Sequence, residues 1–411
     1  MTSRAEMNEQ STAYETVDFF PLDPAVHNDF WNANTRVREQ CPAGWNTALW
    51  SVTEQPGQWI VNDYQSVMNA AIDWELFSSA GGVSSVQMPL DVIRLLPVES
   101  DPPIHRQMRK ALNPFFTPEA VAENDAAVAA VVEELLNQCL DQDGPVDFVA
   151  SFTNELPPAI FRGPGFLDTT AEQADALISL VSILLTKPEM TVSTAPKLLA
   201  WCADLLETRR AEGRRDGLPG AIAHMGFGEN GFELTERERV EILNLAVMGG
   251  METTMGGLGA MAWLLAAKPE LRTELGHADE RTLDRAVEEV LRFASPVPTE
   301  GRTVTEDTEF QGCPMKAGDR LLLNFAAANL DPLQFADPLN IDIHRSNVRS
   351  HLAFGAGIHR CLGAHLARLE MKAAMRAICA LQRFELEPGH QVAFRAAFAR
   401  GPVALPVFMS R

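Results

Sequence analysis

A chain of 411 residues, 46% hydrophobic and 22% charged, has globular composition and enough length to bury a large core, and length alone suggests two or three domains. Its net charge of −21, from 34 basic and 55 acidic residues, argues against general nucleic-acid binding and against attraction to an anionic membrane. The six cysteines include no C-x-x-C pair, which removes zinc and dithiol sites from consideration. The first ten residues are polar, and no uncharged apolar run reaches the length of a membrane span. A soluble protein in the reducing cytoplasm is the expectation.

Residues 1–20 read as a polar N-terminal arm, and the segment 21–411 as the folded body. Helical spacing over 21–40 puts Phe30 and Trp31 on an apolar face. Residues 50–61, with Gly57 between β-prone residues, read as a hairpin, and 63–71 as a short helix. Residues 77–100 are rich in Gly, Ser and Pro yet carry many large apolar side chains, as a loop over an apolar pocket or one packed on the core would. Asp101-Pro102-Pro103 then stops the chain before a helix on which His105 and Arg109 share a face. Helical patterns follow at 118–140, 169–186 and 195–212, with 177–185 nearly all apolar. There is no internal repeat and no low-complexity linker.

Thr235-x-x-Glu238 is a capping box, and no proline follows until Pro269. The helix between them would be roughly 45–50 Å long, enough to cross the molecule. Its apolar interior is interrupted by Asn244 and by Gly249-Gly250-Met251-Glu252-Thr253-Thr254. An acid buried in mid-helix is costly without a partner or a task. Two glycines there cost about 1 kcal/mol each in helix stability. Either a structural kink with a solvated acid or a functional opening accounts for them. Glu289 and Arg292 form an i,i+3 pair on an amphipathic helix.

The segment Phe354-Gly355-Ala356-Gly357-Ile358-His359-Arg360-Cys361-Leu362-Gly363 leads into a strong helix-forming run. Its glycines permit backbone angles that a Cβ forbids. Cys361 would stand just before a helix N-terminus, where free N–H groups and the helix dipole favour a thiolate. From 345 to 383 seven basic residues face one acid, Glu370, and Arg106, Arg109 and Lys110 form a second cluster. These are either solvated helix faces or a basic docking patch for an acidic partner.

The ten-residue loop matches every fixed position of Phe-Gly-x-Gly-x-His-x-Cys-x-Gly and resembles the haem-ligand loop of the cytochrome P450 family. The resemblance spans about residues 20–405. It implies a mainly α-helical fold with small β-sheets, a single domain around a buried haem b. Cys361 is then the axial thiolate, and Phe354 and Gly363 belong to the cofactor loop. Asp-Pro-Pro-x-His-x-x-x-Arg resembles the segment whose His and Arg bind haem propionates, here His105 and Arg109. Arg302 and His359 would complete the cationic set. The sequence around Gly249 resembles the oxygen-activation motif, so that Gly249 leaves space above the iron. Glu252 is then the acid of a proton relay and Thr253 the hydroxyl that bonds the dioxygen. Glu289, Arg292 and Arg345 resemble a buried ion-pair network that holds the cysteine loop. Leu330 stands where the family usually has Arg.

By resemblance the function is a haem-thiolate monooxygenase inserting one atom of O2 into a small lipophilic substrate, by hydroxylation or oxidative dealkylation. Electrons would come from ferredoxin and a ferredoxin reductase using NAD(P)H, with no nucleic acid and no membrane as partner. The alternatives are a peroxide-driven haem peroxygenase and a non-catalytic haem-binding or gas-sensing protein. Substrate-pocket candidates are Val86, Met88, Leu245, Val297 and Phe394, within 86–96, 177–185, 296–299 and 394–398. Arg94 and Arg395 are expected to face water.

Overall fold

The computed structural model describes residues 14–48, 57–85, 94–163, 165–186, 190–226 and 233–411. The N-terminal part contains β1 (Glu15–Val17), α1 (Pro24–Asn28), α2 (Phe30–Gln40), β2 (Ala43–Asn46), β3 (Gln58–Val61), α3 (Tyr64–Ile72), β4 (Phe77–Ser78) and α4 (Ile104–Leu112). A helical middle follows: α5 (Pro118–Ala122), α6 (Asp125–Leu140), β5 (Val146–Asp147), α7 (Leu156–Phe161), α8 (Ala171–Thr186), α9 (Thr191–Ala211), α10 (Gly217–Ala223), α11 (Glu236–Ala267), α12 (Pro269–Gly276) and α13 (Glu280–Ala294). The chain closes with β6 (Thr299–Val304), β7 (Thr308–Phe310), β8 (Cys313–Met315), β9 (Arg320–Asn324), α14 (Phe325–Asn329), α15 (Ala364–Cys379), β10 (Arg383–Leu386) and β11 (Pro406–Ser410).

Helix starts follow local chemistry. Asp63, Thr117 and Asp279 each accept a backbone N–H from the first turn of the helix they precede. Thr235 and Glu238 form the full capping box that opens α11. That helix has 32 residues, so it is about 48 Å long. It is buried along nearly its whole inner length, between α7, α9, α13 and α15. Such a helix is apolar all round rather than on one stripe. It stays helical through Gly249 and Gly250.

The main sheet has the order β1-β2-β3-β9-β6-β4, a second sheet β10-β11-β5, and β7 pairs with β8 alone. Four expectations change here. The stretch before residue 20 is not wholly an arm: β1 pairs parallel with β2, and Val17 and Phe19 are buried. The hairpin is wider than 50–61. Its strands are β2 and β3, in antiparallel register from Ala43↔Val61 to Asn46↔Gln58. Period-2 alternation misses β3, because all four of its residues are buried. The 21–40 helix is two, α1 and α2, and 118–140 is likewise α5 and α6. Among the described residues no helix is long and apolar enough to cross a membrane.

Candidate active site

A cavity of about 490 Å³ lies between α11, α15 and the cysteine loop. Its floor is that loop. Gly355 and Gly357 both adopt φ of 65°, and a Cβ at Gly357 would come within 2.9 Å of the Ala71 carbonyl oxygen, so glycine is required. The Cys361 amide donates to the Phe354 carbonyl at 2.9 Å, which folds the loop back on itself. Cys361 opens onto the cavity, whereas the other five cysteines are buried, and all six are free. Protein surrounds the Cys361 sulfur beyond that opening. Burial pushes its thiol up, against the Gly363 amide, Arg109 and Arg368. The helix-terminus argument for a lowered thiol therefore does not carry for the unligated sulfur.

Two buried ion-pair systems lie behind the cavity. Glu289 bonds Arg292 at 2.8 Å through both carboxylate oxygens, and the Arg345 Nε reaches the same carboxylate at 3.2 Å. Arg292 also donates to the carbonyls of Asn329 and Pro338. This is the expected three-member network. The second system escaped notice in the sequence. Glu288 receives Arg368 at 2.6 and 3.0 Å and the His351 Nε2 at 2.8 Å, and Arg368 lies over the Phe354 ring. The His351 Nδ1 accepts the Ala353 amide, which fixes a neutral tautomer with Nε2–H donating. The clue was present as Glu288 beside Glu289, but it needs the fold to show its partners.

Along one side of the cavity stand His105, Arg109, Arg302 and His359. The two histidine rings are 4.4 Å apart, centroid to centroid. All four of their ring nitrogens are buried without a hydrogen-bond partner among the described residues. Burial, then neighbouring arginines, hold His105 down at about 4 and His359 at about 3. They are neutral N–H donors. Arg109 makes no ion pair among the described residues, and Arg302 pairs with Glu300 at 3.3 Å and donates to the Gly301 carbonyl at 2.7 Å. Orphaned buried donors of this kind call for acceptors. A ligand with two carboxylates against this side, and a metal facing Cys361, fits the donor set; haem b has both. Glu300 also lines the cavity. It was missed, although its i,i+2 spacing from Arg302 on β6 puts both on one face.

The roof is α11. The Thr253 Oγ1 donates to the Gly249 carbonyl at 2.8 Å, and both residues line the cavity. A Cβ at Gly249 would meet only Leu245, whereas one at Gly250 would press on Phe161. Glu252 lines the cavity beside them. Burial pushes its carboxyl up, against the charge of Arg395 and a hydrogen bond to the Ala399 amide. Arg395 is half-buried, and its charge acts on this acid, so it is not a fully solvated cation. Nor is Arg94, which donates to the carbonyls of Ala80 and Glu99.

Of the pocket candidates, Leu245 and Val297 line the cavity, and Val86 and Met88 lie outside the described residues. Phe394 does not line it. Its ring sits 3.9 Å from the Arg400 guanidinium and packs on Trp31 and Trp263. Phe398 takes the lining place. A Cβ at Gly259 would strike the Pro402 ring at 2.6 Å, so glycine there lets the C-terminal segment lie against α11. Leu177 and Val181 are packed in the core and do not reach the cavity.

The comparisons with known proteins agree with this geometry. Residues 154–406, more than half of the chain, match the family model for cytochrome P450. The steroid C26-monooxygenase of Mycobacterium tuberculosis is 33% identical over 315 residues, covering 75% of this chain and 82% of that protein. The methyl-branched lipid omega-hydroxylase of Mycobacterium bovis is 28% identical, covering 87% and 85%. Among solved structures, the cytochrome P450 of the Bacillus subtilis bacillaene polyketide synthase superposes with a TM-score of 0.83 at 27% identity, covering 96% and 100%. With the fold, the cysteine loop and these relatives in agreement, the chain belongs to the cytochrome P450 family and is a monooxygenase that binds haem b through an axial cysteine thiolate.

Proposed function

We propose that Cys361 is the axial ligand, that His105, Arg109, Arg302 and His359 hold the haem carboxylates, and that Glu252 and Thr253 deliver protons to dioxygen. The observation that carries this reading is that Cys361 and Thr253 line one cavity. Haem with a thiolate ligand supplies the redox centre for dioxygen and favours O–O cleavage. The chain's own residues do the rest. Glu252 is buried enough to hold a proton closer to neutrality than an exposed carboxyl does, with Arg395 limiting the shift. The Thr253 hydroxyl, released from the Gly249 carbonyl, accepts that proton's hydrogen bond on one side and donates on the other. His105 and His359, whose ring nitrogens have no hydrogen-bond partner among the described residues, would donate N–H to those carboxylates.

The substrate is a small lipophilic molecule. Leu95, Leu245, Val297 and Phe398 give its compartment an apolar lining. Relatives named for steroid and branched-lipid oxidation point the same way. The reaction is hydroxylation or oxidative dealkylation.

Electrons come from a ferredoxin and its NAD(P)H-dependent reductase, in the cytoplasm. Most of the basic stretch expected to form a patch is used internally. Arg345, Arg368, Lys372, Arg376 and Arg383 all sit in ion pairs. Arg106, Lys110, Arg349 and Arg360 remain exposed without an ion pair among the described residues, and Arg106 and Lys110 share a groove with Ile358 of the cysteine loop. That smaller set supports docking of an acidic carrier behind Cys361.

The test is the absorption of the reduced, carbon-monoxide-treated protein. The red-shifted band of a thiolate-ligated haem is expected, and Cys361→Ala should abolish it. Product with reduced ferredoxin should exceed product with hydrogen peroxide. The reverse order would favour the peroxygenase, and no product under either condition the sensor.

A further inference from the structure

Asn244 lies in the N-terminal third of α11, among Ile242, Leu243 and Leu245. It lines the cavity, is only 4% exposed, and its carboxamide has no hydrogen-bond partner among the described residues. Its neighbours towards the cavity, Ile242, Leu245, Ala246 and Met248, are apolar. An amide on that part of the wall offers the cavity a donor and an acceptor that an isosteric leucine would not. The charged groups lining the cavity do not share its region of the helix. His105, Arg109, Glu300, Arg302 and His359 belong to α4, β6 and the cysteine loop, and Glu252 is two helical turns further along α11.

We infer that Asn244 is a specificity-determining residue, which hydrogen-bonds a neutral oxygen function, a hydroxyl or a carbonyl, of the lipophilic substrate. The inference rests on the monooxygenase reading and adds the substrate's second feature to it. An amide both donates and accepts, so it serves an alcohol and a ketone alike. It gives nothing extra to a hydrocarbon, and it does not neutralise a carboxylate. Nine residues separate Asn244 from Thr253, about 13 Å along the helix. The substrate's oxygen function is therefore held far from the carbon that is oxidised, and oxidation falls towards the opposite end of the molecule.

The experiment uses the haem-loaded full chain and Asn244→Leu, first confirming in each the red-shifted carbon monoxide band, so that loss of the family chemistry is separated from failure of this proposal. Dodecan-1-ol, dodecan-2-one, n-dodecane and dodecanoate are then titrated, with the haem absorbance shift as readout. The alcohol and the ketone should bind the wild-type protein about tenfold tighter than the hydrocarbon, as expected for one hydrogen bond, and Asn244→Leu should erase that difference. The dodecanoate anion should gain no such advantage. The melting temperature of Asn244→Leu should be equal or higher, because no internal partner is lost. Products from dodecan-1-ol should cluster at the distal end of the chain in the wild-type protein and spread in the variant. An alcohol and a ketone that leave the absorbance unmoved, a loss equal for all four probes, or a fall in melting temperature overturns the proposal.

Discussion

The two walls of the cavity are built on opposite electrostatic plans. The wall that carries Cys361 is backed by buried charges, each met by a partner: Glu289 with Arg292 and Arg345, and Glu288 with Arg368 and His351. The wall formed by α11 is apolar, with single polar groups set into it: Asn244, Glu252, Thr253 and Thr254. Paired buried charges have few alternative arrangements, because breaking one pair strands a charge in low dielectric. They fix the segments behind that wall. An apolar wall tolerates changes of shape and leaves discrimination to a few polar atoms. Rigidity is thus concentrated where a metal has to be held, and selectivity where substrates differ.

Breaking the rigid wall should have the largest effect. Glu289→Leu strands Arg292 and Arg345, and a loss of about 3–5 kcal/mol is expected in chemical denaturation. An unchanged midpoint would show that the network is dispensable. The neighbouring pair gives this wall a pH limit. Burial alone would raise the Glu288 carboxyl, but hydrogen bonds from His351 and Arg368 hold it down at about 2, against 4.5 in its unperturbed state. Its folded value lies below its unfolded value. The stability it contributes is therefore present above about pH 4.5 and is lost as pH falls towards 2. Glu288→Gln should flatten that part of the stability–pH curve.

On the α11 wall the effects should appear in turnover rather than in folding. Glu252→Gln should lower product formation on the order of 100-fold with substrate binding unchanged. Arg395→Met removes a charge that opposes the rise of the Glu252 carboxyl. The alkaline limb of the rate profile should then move to higher pH. A limb that stays put would detach Arg395 from the acid.

Two phenylalanines four residues apart separate the walls' roles further. Phe394→Ala should cost about 2 kcal/mol of stability through the cage around Arg400 and leave the substrate-induced absorbance shift unchanged. Phe398→Ala should do the opposite. The smallest effect belongs to the outer face. Arg360→Glu should slow ferredoxin-supported turnover by roughly tenfold at low salt, and less at high salt, with peroxide-supported turnover unaffected.

Much of this was legible along the chain. The loop from Phe354 to Gly363, the capping box at Thr235 and Glu238, and the Glu289–Arg292 spacing are local patterns whose chemistry depends on near neighbours. The sequence left open how distant segments meet. Phe394 and Phe398 are alike in a sequence window, and only the close approach of the C-terminal segment to α11 decides which one reaches the cavity. Arg395 and Arg94 look like surface cations until that approach, and the burial of residues 94–99, give them partners. The basic run from Arg345 overstated a docking patch, because Arg345, Arg368, Lys372 and Arg376 meet acids of α13, namely Glu280, Asp284, Glu288 and Glu289, and Arg383 meets Glu385.

By itself the sequence determined the glycine-rich cysteine loop, the length and capping of the roof helix and the setting of Glu252 beside Thr253 within it, since short-range geometry and residue chemistry dictate each. Only the tertiary structure decided which buried charges are satisfied, which polar atoms stay unbonded and which apolar side chains face empty space. Those outcomes depend on contacts between residues far apart in the chain, and burial makes each unpaired group costly enough to matter.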